Sequence, residues 1–216
     1  MRKEKFVTRE YYHIFNRGVD KRDIFMDKDD LLRFYQAMNE FNNTEPIGSI
    51  YEKIYYQDKH TKNKIKKLVN FISYCLNPNH YHFVLEQAVD NGISRFMHKL
   101  GCGYTNYFNE KYSRTGSLFQ GNFKAKNISS NDYLLHVSTY VSLNNVVHNL
   151  GAAVSKNRIR SSWEEYMSGQ TNFCKKGIIL KQFGSADEYE SFAKDALELM
   201  IEKKKSDKDL QNCLLE

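Results

Sequence analysis

The sequence predicts an α+β fold in which an antiparallel sheet carries helices on one face. Segments rich in aromatic and β-branched residues alternate with segments whose apolar residues recur at helical spacing, and their order is β-α-β-β-α-β. A turn that contains proline joins the two middle strands into a hairpin. The chain has 216 residues, of which 41% are hydrophobic, so it can fill the core of one domain and still have an extension.

The first strand is predicted at residues 11–16, which are mainly aromatic or β-branched and are followed by an Arg-Gly pair. The first helix follows the carboxylates at residues 27–30, which favour a helix N-terminus, and its apolar residues recur as far as residue 42. Residues 43–67 are polar and rich in lysine. We interpret them as a basic insertion, either a solvated loop or an irregular hairpin.

The hairpin is the clearest local prediction. Residues 69–76 have the composition of a strand, Asn-Pro-Asn at residues 77–79 forms the turn, and residues 80–86 form the returning strand. A helix is predicted at residues 93–112, where aromatic and apolar residues recur along one side until an Arg-Thr-Gly segment interrupts the pattern.

A fourth strand is predicted at residues 117–128, and four residues suited to capping a helix then precede a helix at residues 133–149. The order is that of a ferredoxin-like sheet with helices on one face, which leaves the opposite face available for a ligand. Beyond a domain of residues 1–151, residues 152–216 are predicted to form a helical C-terminal extension.

The charge of the chain suggests a polyanionic partner. It has 32 Lys and Arg against 26 Asp and Glu, a formal charge of +6, and a calculated isoelectric point of about 9.0. Its 15 Tyr, 14 Phe and 1 Trp lie frequently beside Lys, Arg or Asn. This combination is typical of surfaces that bind single-stranded nucleic acid, because bases stack on aromatic rings.

Several other classes of protein are disfavoured by the sequence. The N-terminus lacks the apolar stretch of a signal peptide, and no stretch of about 20 apolar residues is present to cross a membrane. We therefore expect a cytoplasmic protein with no membrane partner. The four cysteines show no CxxC spacing, so neither a zinc knuckle nor a disulfide framework is predicted.

Two histidines alternate on the predicted returning strand. His80 and His82 share one face, and Tyr81, Phe83 and Leu85 share the other, so the imidazoles face away from the core. Two imidazoles that converge from one strand can bind a metal ion, although a pair of surface histidines would show the same pattern.

A polar stripe follows on the predicted helix 133–149, where His136, Tyr140, Asn144 and His148 recur every four residues. The phenol of Tyr140 can act as a nucleophile, and the amide oxygen of Asn144 can be a third metal ligand. A mixed nitrogen and oxygen set of this kind suits Mg²⁺ or Mn²⁺. The alternative is that Tyr140 packs its ring on the sheet and that Asn144 is only solvated.

Both segments resemble motifs of one family. Residues 77–84, NPNHYHFV, resemble the P-N-H-x-H hairpin of the HUH single-tyrosine transposases, and residues 140–145, YVSLNN, resemble their Y-I-x-x-N-P segment. The resemblance is closest to the REP-associated tyrosine transposases, whose pattern residues 11–18, 107–109 and 114–121 also fit. Several motifs in the same order are more specific than any one of them alone.

The resemblance implies that residues 1–151 are a transposase domain with a catalytic helix on the active-site side of the sheet. It places the metal ligands at His80, His82 and Asn144 and the nucleophile at Tyr140. It also implies that the protein cleaves and rejoins single-stranded DNA next to a hairpin, through a 5′-phosphotyrosine intermediate and with Mg²⁺ or Mn²⁺ as cofactor.

Two positions depart from the family pattern. Tyr81 occupies the middle of the H-x-H motif, where varied and often apolar residues occur, and Asn145 replaces the usual proline after the helix asparagine. Without that proline the end of the helix is open, and His148 remains an alternative to Asn144 as the third ligand.

A basic surface is predicted between residues 111 and 131, which contain no acidic residue. It is either a DNA-tracking surface or a basic solvated strand edge. Further phosphate contacts are expected at the end of the first strand. The predicted DNA-binding residues are Arg17, Lys21, Arg22, Lys111, Arg114, Phe119, Phe123, Lys124 and Lys126.

Other functions remain open at this stage. A ferredoxin-like nucleic-acid-binding protein without catalytic activity would also be basic and aromatic, although it would not need Tyr140 and the two histidines together. A domesticated relative that binds hairpins but no longer cleaves them is a further alternative. The expected partner is single-stranded DNA with a hairpin, bound by a monomer or a homodimer.

Overall fold

The computed structural model describes residues 5–46, 66–148, 156–168 and 173–213. The strands in these ranges are β1 (Tyr11–Arg17), β2 (Val69–Asn77), β3 (His80–Gln87), β4 (Lys124–Ile128) and β5 (Arg160–Ser161). The α-helices are α1 (Lys28–Glu40), α2 (Gly92–Lys111), α3 (Asn131–Ser142), α4 (Asn144–Val147), α5 (Trp163–Ser168), α6 (Gly177–Leu180) and α7 (Ala186–Cys213). The elements from β1 to β4 confirm the predicted order β-α-β-β-α-β.

The strands form a single antiparallel sheet in the order β4-β1-β3-β2-β5. The first four strands of this order have the ferredoxin-like arrangement, and the short strand β5 extends the sheet beside β2. The α+β fold predicted from the sequence is therefore confirmed. No helix in the described part of the chain has both the length and the apolar character that a membrane span needs.

One face of the sheet packs against α1 and α2. Tyr12 and Ile14 of β1 and Tyr81, Phe83 and Leu85 of β3 point into this core, as alternation along a strand requires. The helices contribute Leu31, Phe34, Met38, Phe96, Leu100 and Tyr104. Full burial of a large apolar side chain stabilises a fold by roughly 1.5–3 kcal/mol, so this core holds the sheet rigid beneath the opposite face.

The opposite face carries helix α3, as the resemblance implied, and part of it remains accessible. Helix α3 packs its apolar side on Ile72, Cys75 and Val84, and the C-terminal helices add Tyr166 and Tyr189 to the same core. The part of this face that remains accessible lies at the end of β1 and β3 nearest the hairpin turn.

Helix α1 begins where the carboxylates predicted it. The Asp27 side chain accepts a hydrogen bond from the backbone N–H of Asp30 and caps the helix. The buried carboxylate of Asp30 accepts in turn from the backbone N–H of Met26. Lys111 at the end of α2 lies 2.8 Å from Asp27 and 2.7 Å from Asp30, so it joins the two helices.

The single helix predicted at residues 133–149 is interrupted. It begins as expected after Ser130, whose hydroxyl accepts from the backbone N–H of Tyr133. At Leu143 the backbone leaves the helical region, with φ −107° and ψ 11°, and α4 then starts at Asn144. The preceding residue, Ser142, is tied by its hydroxyl to that of Ser162 at 2.9 Å. The end of the predicted helix lies outside the described residues.

The strand predicted at residues 117–128 is shorter than expected. Only Lys124–Ile128 pairs continuously with β1, and Phe119 forms an isolated bridge to Gly18. The intervening Gly121 has φ 68°, which is left-handed backbone that a strand cannot contain. The segment before β4 is therefore a loop.

The C-terminal segment lies on the same sheet. Strand β5 pairs with β2, and α7 packs along α3. The division into residues 1–151 and 152–216 stays a prediction. Most of the predicted basic insertion, residues 47–65, lies outside the described residues.

Candidate active site

A cavity of about 550 Å³ opens at the accessible end of β1 and β3, beside the end of α3. Core packing fixes both walls of the cavity. Strands β1 and β3 pack on α1 and α2, and α3 packs between the sheet and the C-terminal helices. Its lining residues are Phe15, Asn16, Arg17, Lys21, Asn79, His80, His82, Gln120, Lys124, Tyr140 and His148.

His80 lines this cavity, and its hydrogen bonds fix which ring nitrogen carries the proton. Its Nδ1 lies 2.6 Å from Oδ1 of Asn79, and the Asn79 amide donates in turn to the backbone oxygen of Lys21. Because an amide oxygen only accepts hydrogen bonds, Nδ1 of His80 carries the proton and Nε2 is an acceptor. Burial lowers the pKa of His80, which favours the neutral ring.

Asn144 is fully buried at the start of α4, and its oxygen faces the same point as His80. Oδ1 of Asn144 lies 3.2 Å from Nε2 of His80, so two acceptors converge. The amide nitrogen of Asn77 donates to both of them, at 2.8 Å and 3.0 Å. The Asn144 amide nitrogen has no hydrogen-bond partner among the described residues.

His82 is paired with a histidine that the sequence analysis missed. Nε2 of His13 on β1 lies 2.9 Å from Nδ1 of His82, and the two rings stack with centroids 5.2 Å apart. Burial lowers the pKa of His13 to about 4 and that of His82 well below its usual value. Alternation along β1 places His13 on the site face, so the pattern of that strand contained the signal.

Tyr140 lies one helical turn before Asn144 and reaches the same group of rings. Its ring centroid is 5.9 Å from that of His82 and 6.2 Å from that of His13. Burial raises the pKa of the phenol. At neutral pH the phenol is therefore protonated, so it could act as the predicted nucleophile only beside a proton acceptor or an electropositive group.

The other two members of the predicted stripe differ in their surroundings. His148 lines the cavity, with its ring centroid 5.9 Å from that of His80, and its Nδ1 lies 2.9 Å from Nζ of Lys204. Burial and the Lys204 charge lower the pKa of His148 to about 4. His136 packs its ring against Phe192 and does not line the cavity.

The residues present fit a divalent cation. His80 and Asn144 direct two uncharged acceptors at one point, where the Asn77 amide donates to both and where a cation could take the place of this donor. Asn79 holds the His80 ring in the tautomer that a metal ligand requires. No group of three or more His, Cys, Asp or Glu in the described part of the chain has the arrangement of a metal site, so a site here depends on the amide of Asn144.

Five of the predicted DNA-binding residues lie at or near this cavity. Arg17, Lys21 and Lys124 line it, and the Arg17 guanidinium is hydrogen-bonded to Gln120. Lys126 is paired with His13 across β4 and β1 and stands over the ring of Tyr133 at 5.2 Å. Arg22 is exposed and donates to the backbone oxygen of Val19.

The remaining four predicted DNA-binding residues do not line the cavity. The ammonium of Lys111 is held by Asp27 and Asp30. Arg114 is hydrogen-bonded to Asn109 and lies over the Phe108 ring. Phe119 is only 8% exposed, which leaves no ring face for a base, and Phe123 stacks on Phe6. Each of these four side chains therefore has a contact within the protein, and its contact with DNA stays a prediction.

Comparisons with known proteins agree with the motifs. The family model of IS200-like transposases matches residues 6–144. A solved structure of a REP-associated tyrosine transposase bound to a REP hairpin is similar at 13% identity and a TM-score of 0.49, over 80% of this chain and 88% of that chain. No curated protein sequence matches. Because the family model covers more than half of the chain, this protein belongs to the IS200-like transposase family.

Proposed function

We propose that this protein is a metal-dependent transposase of the REP-associated type, which cleaves and rejoins single-stranded DNA next to a hairpin. The observation that carries the proposal is that Tyr140 and His80 line one cavity, with the oxygen of the buried Asn144 only 3.2 Å from Nε2 of His80. Membership of the IS200-like family supports DNA strand transfer as the reaction. The hairpin is proposed from the sequence motifs at residues 77–84 and 140–145.

His80, His82 and Asn144 would hold the cation. Mg²⁺ or Mn²⁺ bound there would polarise the non-bridging oxygens of the scissile phosphate. The protein's own contribution is to fix the ligands: Asn79 orients His80, and His13 orients His82. The Asn77 amide, which now donates to His80 and Asn144, has to give up these hydrogen bonds when the ligands turn to a metal.

Tyr140 is the proposed nucleophile. Its phenolic oxygen forms a bond to phosphorus while the bond from phosphorus to the 3′ oxygen breaks, which leaves a 5′-phosphotyrosine. In the net step the phenolic proton ends on the 3′ oxygen, which leaves as a hydroxyl. Because the phosphotyrosine bond retains the energy of the broken phosphodiester, a second 3′-hydroxyl can reverse the step without ATP.

The rim of the cavity suits the backbone of single-stranded DNA. Arg17, Lys21 and Lys124 place three cationic side chains around Tyr140, and their charge attracts phosphates. The partly exposed ring of Phe15 lines the same cavity and gives a base a surface on which to stack. The protein thereby holds the strand on both sides of the phosphate that Tyr140 attacks.

The test is cleavage of an end-labelled single strand that contains an imperfect hairpin, resolved on a denaturing gel with Mn²⁺ or with excess chelator. We expect a Mn²⁺-dependent nick beside the hairpin, absent from His80→Ala and His82→Ala. Tight hairpin binding with no nick at any Mn²⁺ concentration would instead establish a binding protein without catalytic activity. Undiminished nicking in chelator would contradict the metal ligands.

A further inference from the structure

A side chain of the long C-terminal helix α7 contacts His148, one of the residues that line the cavity. Nζ of Lys204 lies 3.0 Å from the backbone oxygen of Val147 and 2.9 Å from Nδ1 of His148. Both partners lie at the C-terminal end of α4, the short helix that begins at Asn144. Residues 148 and 204 lie beyond the segment that the family model matches, so the motifs of the family do not account for this contact.

The contact fixes which nitrogen of His148 carries the proton. A lysine ammonium only donates hydrogen bonds, so Nδ1 of His148 has to accept. The neutral ring then has its proton on Nε2. Because His148 lines the cavity, Nε2–H is the group that this ring can offer to a ligand there.

These hydrogen bonds suit His148 and Asn144 to different roles. To reach the lone pair of His148 on Nδ1, a metal ion would have to displace the ammonium of Lys204, whereas at His80 and Asn144 it would displace one neutral amide, that of Asn77. Asn144 directs its oxygen at Nε2 of His80, 3.2 Å away. An N–H donor in a cavity with a cationic rim is suited to a phosphate oxygen.

We propose that His148 donates from Nε2–H to a phosphodiester oxygen of bound single-stranded DNA, and that Lys204 is the positioning residue that keeps it in this tautomer. The proposal rests on the proposed function for the identity of its ligand, although binding can be measured without cleavage. It makes α7 part of the nucleic-acid site. The ammonium of Lys204 itself is engaged by Val147 and His148 and does not contact the phosphate.

The first measurement reads the tautomer of His148 directly. In the ¹⁵N-labelled protein, long-range correlations between ring nitrogens and ring protons distinguish a proton on Nε2 from one on Nδ1. We expect the Nε2–H form, and we expect its Nε2 signal to shift when short oligothymidylate is added in the presence of chelator. A proton on Nδ1, or an Nε2 signal that oligothymidylate leaves unchanged, overturns the proposal.

The second measurement is the affinity for the same oligothymidylate in chelator, made in the Tyr140→Phe background so that no covalent step can occur. Lys204→Met should weaken binding about tenfold, which is the loss of one charge-assisted hydrogen bond. Lys204→Arg, which can still donate to Nδ1, should restore most of the affinity. The matched control is Lys203→Met, which removes the charge of the exposed neighbouring residue and should change affinity less than twofold.

A double-mutant cycle separates positioning from helix capping. Lys204 also caps the Val147 carbonyl, so Lys204→Met should lower the unfolding temperature whether or not His148 is present. In contrast, its effect on affinity should vanish in His148→Phe, which keeps a ring and removes the donor. Equal losses of affinity in both backgrounds would overturn the proposal. Failure of the protein to cleave DNA would contradict the proposed function and leave this binding result standing.

Discussion

Nε2 of His13 lies 2.9 Å from Nδ1 of His82, so one predicted metal ligand is oriented by a second imidazole from the neighbouring strand. The contact leaves Nε2 of His82 as the nitrogen available to a metal. His13 is thus placed to hold the proposed ligand His82 in one orientation, as residues that hydrogen-bond to metal ligands commonly do.

Replacing His13 should therefore weaken metal binding without removing a ligand. We expect His13→Leu to reduce affinity for Mn²⁺ by about 10-fold to 100-fold, as is usual for such outer residues. His13→Gln, which can still hydrogen-bond to His82, should lose less. Isothermal titration with Mn²⁺ measures both, and unchanged affinity in His13→Leu would remove His13 from this role.

Asn144 and His148 should differ in how they respond to metal. Asn144→Ala removes a proposed ligand, so its loss of cleavage should diminish as Mn²⁺ is raised. His148→Ala removes a proposed phosphate contact, so its smaller loss should persist at saturating Mn²⁺. Cleavage rates measured over a range of Mn²⁺ concentrations compare them. Should the pattern be reversed, with the larger and metal-sensitive loss in His148→Ala, His148 is the third ligand.

Lys111 should contribute to stability and not to DNA affinity. Its ammonium neutralises Asp30, a fully buried carboxylate that also accepts from the hydroxyls of Tyr107 and Tyr112. We expect Lys111→Met to lower the free energy of unfolding by roughly 1–3 kcal/mol, because it leaves a buried charge unpaired. Urea unfolding measures this loss.

The matched control for Lys111 is Lys194→Met. Nζ of Lys194 lies 2.8 Å from Oε1 of Glu190, the two side chains are 66% and 39% exposed, and an exposed ion pair contributes at most about 1 kcal/mol. Its loss of stability should therefore be the smaller one. A fall in affinity for single-stranded DNA in Lys111→Met, at unchanged stability, would restore the DNA contact predicted from the sequence.

Acid should weaken the same cluster. The hydrogen bond from Lys111 lowers the pKa of the Asp27 carboxyl below its ordinary value of 3.8. Since the folded-state pKa is the lower one, this contribution is fully present above the ordinary value and is lost as the pH falls through the folded-state value. The urea concentration at the unfolding midpoint should decrease as the pH is lowered below about 4. This decrease should be less steep in Lys111→Met. Parallel acid profiles for the two proteins would contradict this coupling.

The features that could be predicted are those that depend on residues close together in the sequence. The hairpin follows from alternation and from the turn at Pro78, and the stripe that contains Tyr140 and Asn144 follows from helical spacing. The hairpin lies within two adjacent strands, and Tyr140 and Asn144 lie on two consecutive helices separated by Leu143 alone. The break at Leu143 was not predicted. The neighbouring Ser142 contacts Ser162, which lies in a different part of the chain, and a local sequence pattern does not contain such a contact.

The missed site residues depend on long-range contacts. His13 meets His82 across 69 residues of sequence, and Lys204 meets His148 across 56. Lys111 was predicted to face DNA because residues 111–131 contain no acidic residue, whereas its partner Asp30 lies 81 residues away. Local patterns predict elements and faces, but pairings between distant elements require the tertiary structure.

The covalent adduct tests the role of Tyr140 most directly. After incubation with Mn²⁺ and a single strand that contains a hairpin, we expect a denaturation-resistant protein–DNA species whose nucleotide maps to Tyr140 by peptide mass spectrometry. Tyr140→Phe should give no adduct and keep hairpin affinity within about threefold, because its ring still packs on the sheet; Tyr133→Phe should form the adduct normally. An adduct that forms in Tyr140→Phe, or that maps to Tyr133, would contradict the assignment of the nucleophile.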